Sequence, residues 1–206
     1  MNSEQQKILE FCKNYFLENG FYKITMDEVA THLRMSKKTI YKYYQTKEIL
    51  VKEIVSTFLE FHKENISKIV DDNSEAVIKL YQIFNYIGNL ISSISEKFIR
   101  DIQIHMPDLW EHIDTFRTKM MNINIGKVIE QGKTEGMFIN KPSVIIMGVF
   151  TSSVRGIINP EFIMNNKFSV KTALEETIGI IMNGIMTEKG KKAFNLLKSE
   201  QINESN

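Results

Sequence analysis

The stretch TMDEVATHLRMSKKTIYKYYQTK, residues 25–47, decides the fold: it reads as two short helices joined by a tight turn. Thr25 is a good N-cap, and Glu28 three residues on completes a T-x-x-E capping box. Ile24 before the cap and Val29 at the fourth helical position are placed to close a hydrophobic staple over it. Helical spacing predicts Val29, Ala30 and Leu33 on one buried face. Ser36 is a second N-cap almost at once, opening Lys37-Lys38-Thr39-Ile40-Tyr41-Lys42-Tyr43-Tyr44. Two lysines in a helix's first turn oppose the macrodipole, at about 0.3–1 kcal/mol each when exposed. Stability alone would favour Asp or Glu there, so the charge makes sense if an anion lies across that helix end. Helix, turn, basic-and-aromatic helix is the arrangement that sets a recognition helix in a DNA major groove.

The charge is local. The 206 residues carry a net +1, with residues 1–53 at +2 and residues 54–206 at −1. Within 29–47, however, Arg34, Lys37, Lys38, Lys42 and Lys47 meet no acid along the chain. Such a patch steers a phosphate backbone, although on charge alone it is equally a solvated helix face. The capped helices around it favour DNA. An apolar fraction of 43% supports a sizeable core, and no apolar run reaches the roughly 18 residues of a membrane span. The N-terminal MNSEQQ has neither the charged nor the apolar region of a signal peptide. A single cysteine, Cys12, excludes an internal disulfide and suits a reducing compartment, so a cytoplasmic protein is expected.

Scarce Pro and Gly and helical spacing of the β-branched residues predict an all-α chain. The first helix is expected over Ser3–Asn19, with Ile8, Phe11, Cys12, Tyr15 and Phe16 inward and Gly20 just past its end. Thr46 caps a long fourth helix to about Val70, with Ile49, Leu50, Ile54, Phe58 and Phe61 as its apolar stripe. Further helices are expected over about 75–93, 95–105, Pro107 to Lys133, Pro142 to Ile158, and Ser169 to Met186. A short tail helix follows Thr187, with residues 203–206 frayed. With no linker near residues 48–55, a DNA-binding domain at 1–50 (helix-turn-helix at about 25–45) and a second domain at 51–206 should share the fourth helix.

Residues Ile24–Leu50 resemble the N-terminal motif of the TetR family of bacterial transcriptional regulators. The matching features are Thr25 at the cap, Val29-Ala30, Ser36, Ile40-Tyr41-Lys42-Tyr43-Tyr44 and Lys47-Glu48-Ile49-Leu50. Pro107-Asp108-Leu109-Trp110 and Gly132-x-x-x-Gly136-Met137-Phe138 are similar to weaker patterns in the family's second half. One position departs: the family's turn usually has Gly where this chain has Arg34. In the left-handed region that costs roughly 1–2 kcal/mol, which a phosphate contact by Arg34 would offset. The resemblance implies a homodimeric repressor, released from a palindromic operator when a small molecule enters the C-terminal domain.

Lys37, Lys38, Thr39, Lys42 and Tyr43 sit where a recognition helix meets base edges. Thr25, Ser36, Tyr41 and Lys47 read better as phosphate contacts, and Tyr44 as packing against the first helix. Cys12 reads as a small core residue. Asp101/His105 and Asp108/His112 are i,i+4 pairs that face a cation or merely the helix surface, and no metal or other cofactor is expected. No catalytic set or phosphate loop is present, so an enzyme is not expected. For the effector, of apolar or amphipathic character, the candidate pocket residues are Phe58, Phe61, His62, Tyr81 and Phe84. Met106, Trp110, Met120, Met147 and Phe150 complete the set. Two apolar stripes, Ile146, Val149/Phe150, Val154, Ile157/Ile158 and Val170, Ala173/Leu174, Thr177/Ile178, Ile181, Ile185, suit the four-helix dimer interface that the family implies. The competing reading is an all-α interaction protein whose basic helix-turn-helix binds another protein.

Overall fold

The structure, a computed structural model, describes residues 3–157, 160–166 and 168–204. The chain is all-α: α1 Ser3–Asn19, α2 Met26–Leu33, α3 Lys37–Tyr43, α4 Lys47–Asp71, α5 Ala76–Ser92, α6 Glu96–His105, α7 Pro107–Thr134, α8 Ser143–Ile157, α9 Pro160–Asn166, α10 Val170–Ile185 and α11 Glu188–Glu204. Two elements exceed the sequence reading. α9, between the helices expected to end at Ile158 and to begin at Ser169, opens on Pro160, whose fixed φ suits the first helical position. α11 continues through Asn203 and Glu204, which were expected to fray; Ile158, Ser205 and Asn206 lie outside the described residues.

Chain packing forms two compact units, Met1–Lys63 with Ser93–Phe116, and Glu64–Ser92 with Arg117–Asn206. The first is built on Ile8, Cys12, Phe16, Val29, Ile40 and Tyr44, with Phe98 and Ile102 of α6 in the same core. On α4, Leu50 and Ile54 are buried, whereas Ile49 and Phe61 of the expected stripe face solvent. α6 is tied to the helix-turn-helix by hydrogen bonds: Ser95 N–H donates to Leu17 O at 2.8 Å, and the Asp101 carboxylate accepts from Phe21 and Tyr22 N–H at 2.7 and 2.8 Å. Packing thus carries the N-terminal unit beyond residues 1–50.

The second unit has its core between α5, α7, α8 and α10, around Leu80, Ile83, Ile129, Phe138 and Phe150. The α7 terminus explains the Gly132-x-x-x-Gly136 spacing. Gly136 has φ 70°, and Gly132 O accepts from Met137 and Phe138 N–H at 2.8 and 3.1 Å. That fold-back lays the Phe138 ring where a Cβ on Gly132 would stand. Inside the same unit the buried Lys79 ammonium donates to Val70 O at 2.8 Å and Gln131 Oε1 at 2.9 Å, tying α4, α5 and α7 together.

This core overturns the expected dimer stripes. Ile146, Phe150, Val154, Leu174, Ile178, Ile181 and Ile185 are buried within the chain itself, Ile157 and Val170 are half-buried, and Val149 alone of the expected residues is exposed among those described. An amphipathic period reports that a face is covered, not which molecule covers it. The outward faces hold Val149 of the expected α8 stripe together with Val144 and Ile145 on α8 and Ile180 on α10, between 53% and 79% exposed. Gly148 and Gly156 interleave with them on α8, with open space where their Cβ atoms would be.

Candidate nucleic-acid interface

The helix-turn-helix forms by local signals that the sequence states outright. Thr25 N–H donates to Glu28 Oε2 at 2.6 Å, while Glu28 N–H donates to Thr25 Oγ1 at 3.2 Å, closing the capping box. Those bonds hold the Glu28 carboxyl below its ordinary pKa, so the box stays ionised at neutral pH. At the far end Arg34 adopts φ 55°, ψ 38°, in the left-handed region. Its N–H returns to Thr31 O at 3.1 Å and Met35 N–H to Ala30 O at 2.9 Å, a doubly bonded helix stop that normally takes Gly. Arg34→Gly should raise thermal stability by about 1 kcal/mol through lost Cβ strain, while weakening DNA binding through the lost cation. An unchanged or lower melting point would show the strain argument wrong.

Ser36 caps α3 by accepting from Thr39 N–H at 3.0 Å. Ile40 and Tyr44 face inward, which leaves Lys37, Lys38, Tyr41 and Lys42 on the solvent face. Tyr44 packs as the spacing suggested, and burial pushes its hydroxyl up to about 12, with Glu53 adding to the rise.

Several of the proposed contacts are engaged within the unit. Lys37 pairs with Asp27 of α2, a residue just upstream of the apparently acid-free stretch. Thr39 is half-buried with its hydroxyl 2.8 Å from Ser36 Oγ, and the half-buried Tyr43 donates to Glu4 Oε2 at 2.8 Å. Thr25 Oγ1 donates to Glu28 at 3.0 Å. The largest correction is Lys47. Its Nζ donates to Phe21 O, Tyr22 O and Ile24 O at 3.0, 2.7 and 2.8 Å, which uses all three N–H donors. Burial lowers its pKa. Its side chain therefore staples the α1–α2 loop and has no donor left for the phosphate contact expected of it. Arg34, Lys38 and Lys42 have no carboxylate partner among the described residues; Lys42 Nζ lies 5.0 Å from the Tyr43 ring centroid.

Asp101 and His105 are brought together for another purpose than a cation. Asp101 caps the Phe21–Tyr22 amides, and the His105 ring stacks on Tyr22 at 3.5 Å between centroids. Among the described residues no group of three or more His, Cys, Asp and Glu is positioned to hold a metal ion. The Asp101 role was illegible in sequence, because its partners lie 79 and 80 residues away.

The expected pocket residues do not converge. Phe58, Phe61 and His62 lie in the first unit, His62 between the two rings with its pKa lowered by burial and by Lys13. Met106 and Trp110 pack in the first unit's core, Met147 and Phe150 in the second's, and Met120 is half-buried on α7. Tyr81 and Phe84 line a cleft of about 340 Å³ between α5, α10 and α11, which the other expected residues do not reach. Aromatic and methionine content marks apolar volume in general, and most of that volume is core.

No helix among the described residues is long and apolar enough to cross a membrane. Residues 8–54 match the family described as bacterial regulatory proteins, tetR family. A Bacillus subtilis protein, the uncharacterised HTH-type transcriptional regulator YvaF, is 22% identical over 185 residues, spanning 89% of this chain and 96% of its own. Among solved structures, a transcriptional regulator from Cytophaga hutchinsonii superposes with a TM-score of 0.70 at 16% identity, covering 90% of this chain and 100% of that one. A transcriptional regulator from Saccharomonospora viridis in complex with choline gives 0.68 at 13% identity, covering 89% and 98%.

Proposed function

We propose that the chain, whose residues 8–54 match the family described as bacterial regulatory proteins, tetR family, is a DNA-binding transcriptional regulator, a homodimeric repressor of a palindromic operator released by a small molecule. The observation that carries the DNA-reading role is the solvent face of α3: Lys38, Tyr41 and Lys42, next to Arg34 in the turn, with the helix fixed by Ser36 at one end and Tyr44 at the other. Lys38 supplies base readout, where an ammonium donates to guanine O6 and N7. Lys42, Arg34 and the Tyr41 hydroxyl supply phosphate contacts, which fix register without reading sequence. The site of action is the cytoplasm, where the operator is.

Lys38→Ala should relax preference at one operator position, at about 1–3 kcal/mol for the lost base contact. Lys42→Ala should weaken binding to all duplexes alike and lower the salt slope by about one unit. Salt-titrated binding to an operator and to random duplex measures both. Equal loss on both duplexes for Lys38→Ala would remove it from base readout.

Pairing is assigned to the outward face of α8 and α10, where Ile145, Val149 and Ile180 lack cover in the single chain. Two half-sites one helical turn apart need recognition helices spaced by about 34–36 Å, so a small change of pairing angle or helix tilt is enough to release the operator. α4 is one continuous helix from Lys47 to Asp71, and it is the element we assign to transmission. An effector favours release only by binding the released form more tightly, typically with about 1–3 kcal/mol of coupling. By reciprocity, operator DNA weakens effector binding by the same factor. The regulator in complex with choline supports a small-molecule role for this architecture.

A further inference from the structure

The cleft between α5, α10 and α11 lies wholly within the C-terminal unit, and two of its lining residues are glycines inside helices, Gly88 on α5 and Gly179 on α10. A Cβ built on either would meet no atom within 4 Å, and neither has a positive φ. Glycine in a helix interior is disfavoured relative to alanine, because it loses more backbone freedom on folding. Neither crowding nor backbone geometry requires glycine at these two positions. What glycine preserves here is open space against bare backbone.

The surroundings describe what fits that space. Tyr81 and Phe194 meet edge to face, with centroids 5.8 Å apart, and Phe84 is stacked on the buried Phe150 at 5.4 Å. Asn85 and Asn89, one turn apart on α5, bring amide groups that both donate and accept. The charged lining residues are Lys171 and Glu175, 3.9 Å apart, so the rim carries no net charge. The volume of about 340 Å³ suits one small molecule.

We infer that this cleft is the effector site, and that its ligand is a neutral, flat amphiphile. A fused-ring or aromatic body lies against the backbone at Gly88 and Gly179, between the aromatic side chains. A hydroxyl, amine or amide edge bonds the asparagines. Met182 on the cleft wall adapts its unbranched side chain to the ring outline. This placement rests on the effector-responsive reading of the protein and adds to it a site and a ligand class.

N-phenyl-1-naphthylamine, a neutral fused-ring amine that fluoresces in apolar surroundings, is the probe. The full chain should bind it saturably, one per chain. Gly88→Leu and Gly179→Leu fill the opening from different helices, and each should weaken binding at least tenfold with unchanged helicity, mass and duplex binding. In the unaltered protein the probe should slow amide exchange around Asn85–Asn89, a reading that needs no variant. Absence of saturable binding, wild-type affinity in both variants, or no protection at Asn85–Asn89 overturns the inference. A dimer that falls apart in Gly179→Leu with probe affinity intact overturns it too, by giving the cleft to a second copy. Failure of the unaltered protein to bind any duplex DNA strikes at the regulator reading instead, and leaves the cleft result to stand separately.

Discussion

Ile180→Glu should leave a folded chain that no longer pairs, and its operator affinity should fall about 10²–10⁴-fold, the advantage that two linked half-site contacts give over one. Ile180 is 73% exposed in the single chain, so a glutamate there meets water before association and an apolar seam after it. A carboxylate unpaired in such a seam is strongly disfavoured. Ile178→Glu supplies the contrast. It lies only two positions away, but about 200° round the helix, and is 8% exposed in the C-terminal core. The same carboxylate placed there should unfold the unit, at more than about 4 kcal/mol. Light scattering and thermal melts separate the two outcomes. A folded, fully dimeric Ile180→Glu would show that pairing uses another face.

That contrast also marks what was legible in the sequence. Signals that act within one turn of helix were read to the residue: Thr25 and Glu28, Ser36, Gly20 with φ 76°, and Arg34 where glycine was missing. Much of the two units' apolar stripes was read as well, Ile49 and Phe61 excepted, but periodicity identifies a buried face without its partner, and so the core of α8 and α10 passed for an interface. Charge suffered a related error. Lys37 and Lys47 look free along the chain, yet one is paired with Asp27 and the other turned onto three carbonyls. Neither partner set is visible without the turn that brings it near. The cleft's Asn85, Gly88 and Gly179 carry no aromatic bulk, and nothing in the residue types alone brings them together across α5 and α10.

Lys47→Ala and Asp101→Ala should each destabilise the N-terminal unit by about 2–4 kcal/mol, since hydrogen bonds to charged groups contribute about 1.5–3 kcal/mol and their loss leaves backbone groups unpaired. The two side chains grip one loop from two sides. The ammonium takes the carbonyls of Phe21, Tyr22 and Ile24, and the carboxylate takes the amides of Phe21 and Tyr22. Gly20 lets the carboxylate approach, because a Cβ there would stand 2.6 Å from Asp101 Oδ2. The loop sets how α2 leaves α1, so its loosening should also blunt operator discrimination. Denaturant melts paired with salt-titrated DNA binding decide the matter. The expected result for Lys47→Ala is lower stability with an unchanged salt slope. A variant as stable as the parent, with a slope reduced by one unit, would return Lys47 to the phosphate contacts.

Cys12 is the chain's only cysteine; it lies fully inside the first core, and burial pushes its thiol up to about 12. The thiolate is the form that attacks alkylating reagents, and near neutral pH this sulfur is both hidden and almost wholly protonated. One cysteine placed at the exposed Gln45, just beyond α3, can therefore be tagged selectively without first stripping the native one. Paired nitroxides at that position turn the separation of two recognition helices into a distance read by electron spin resonance, with and without a candidate effector.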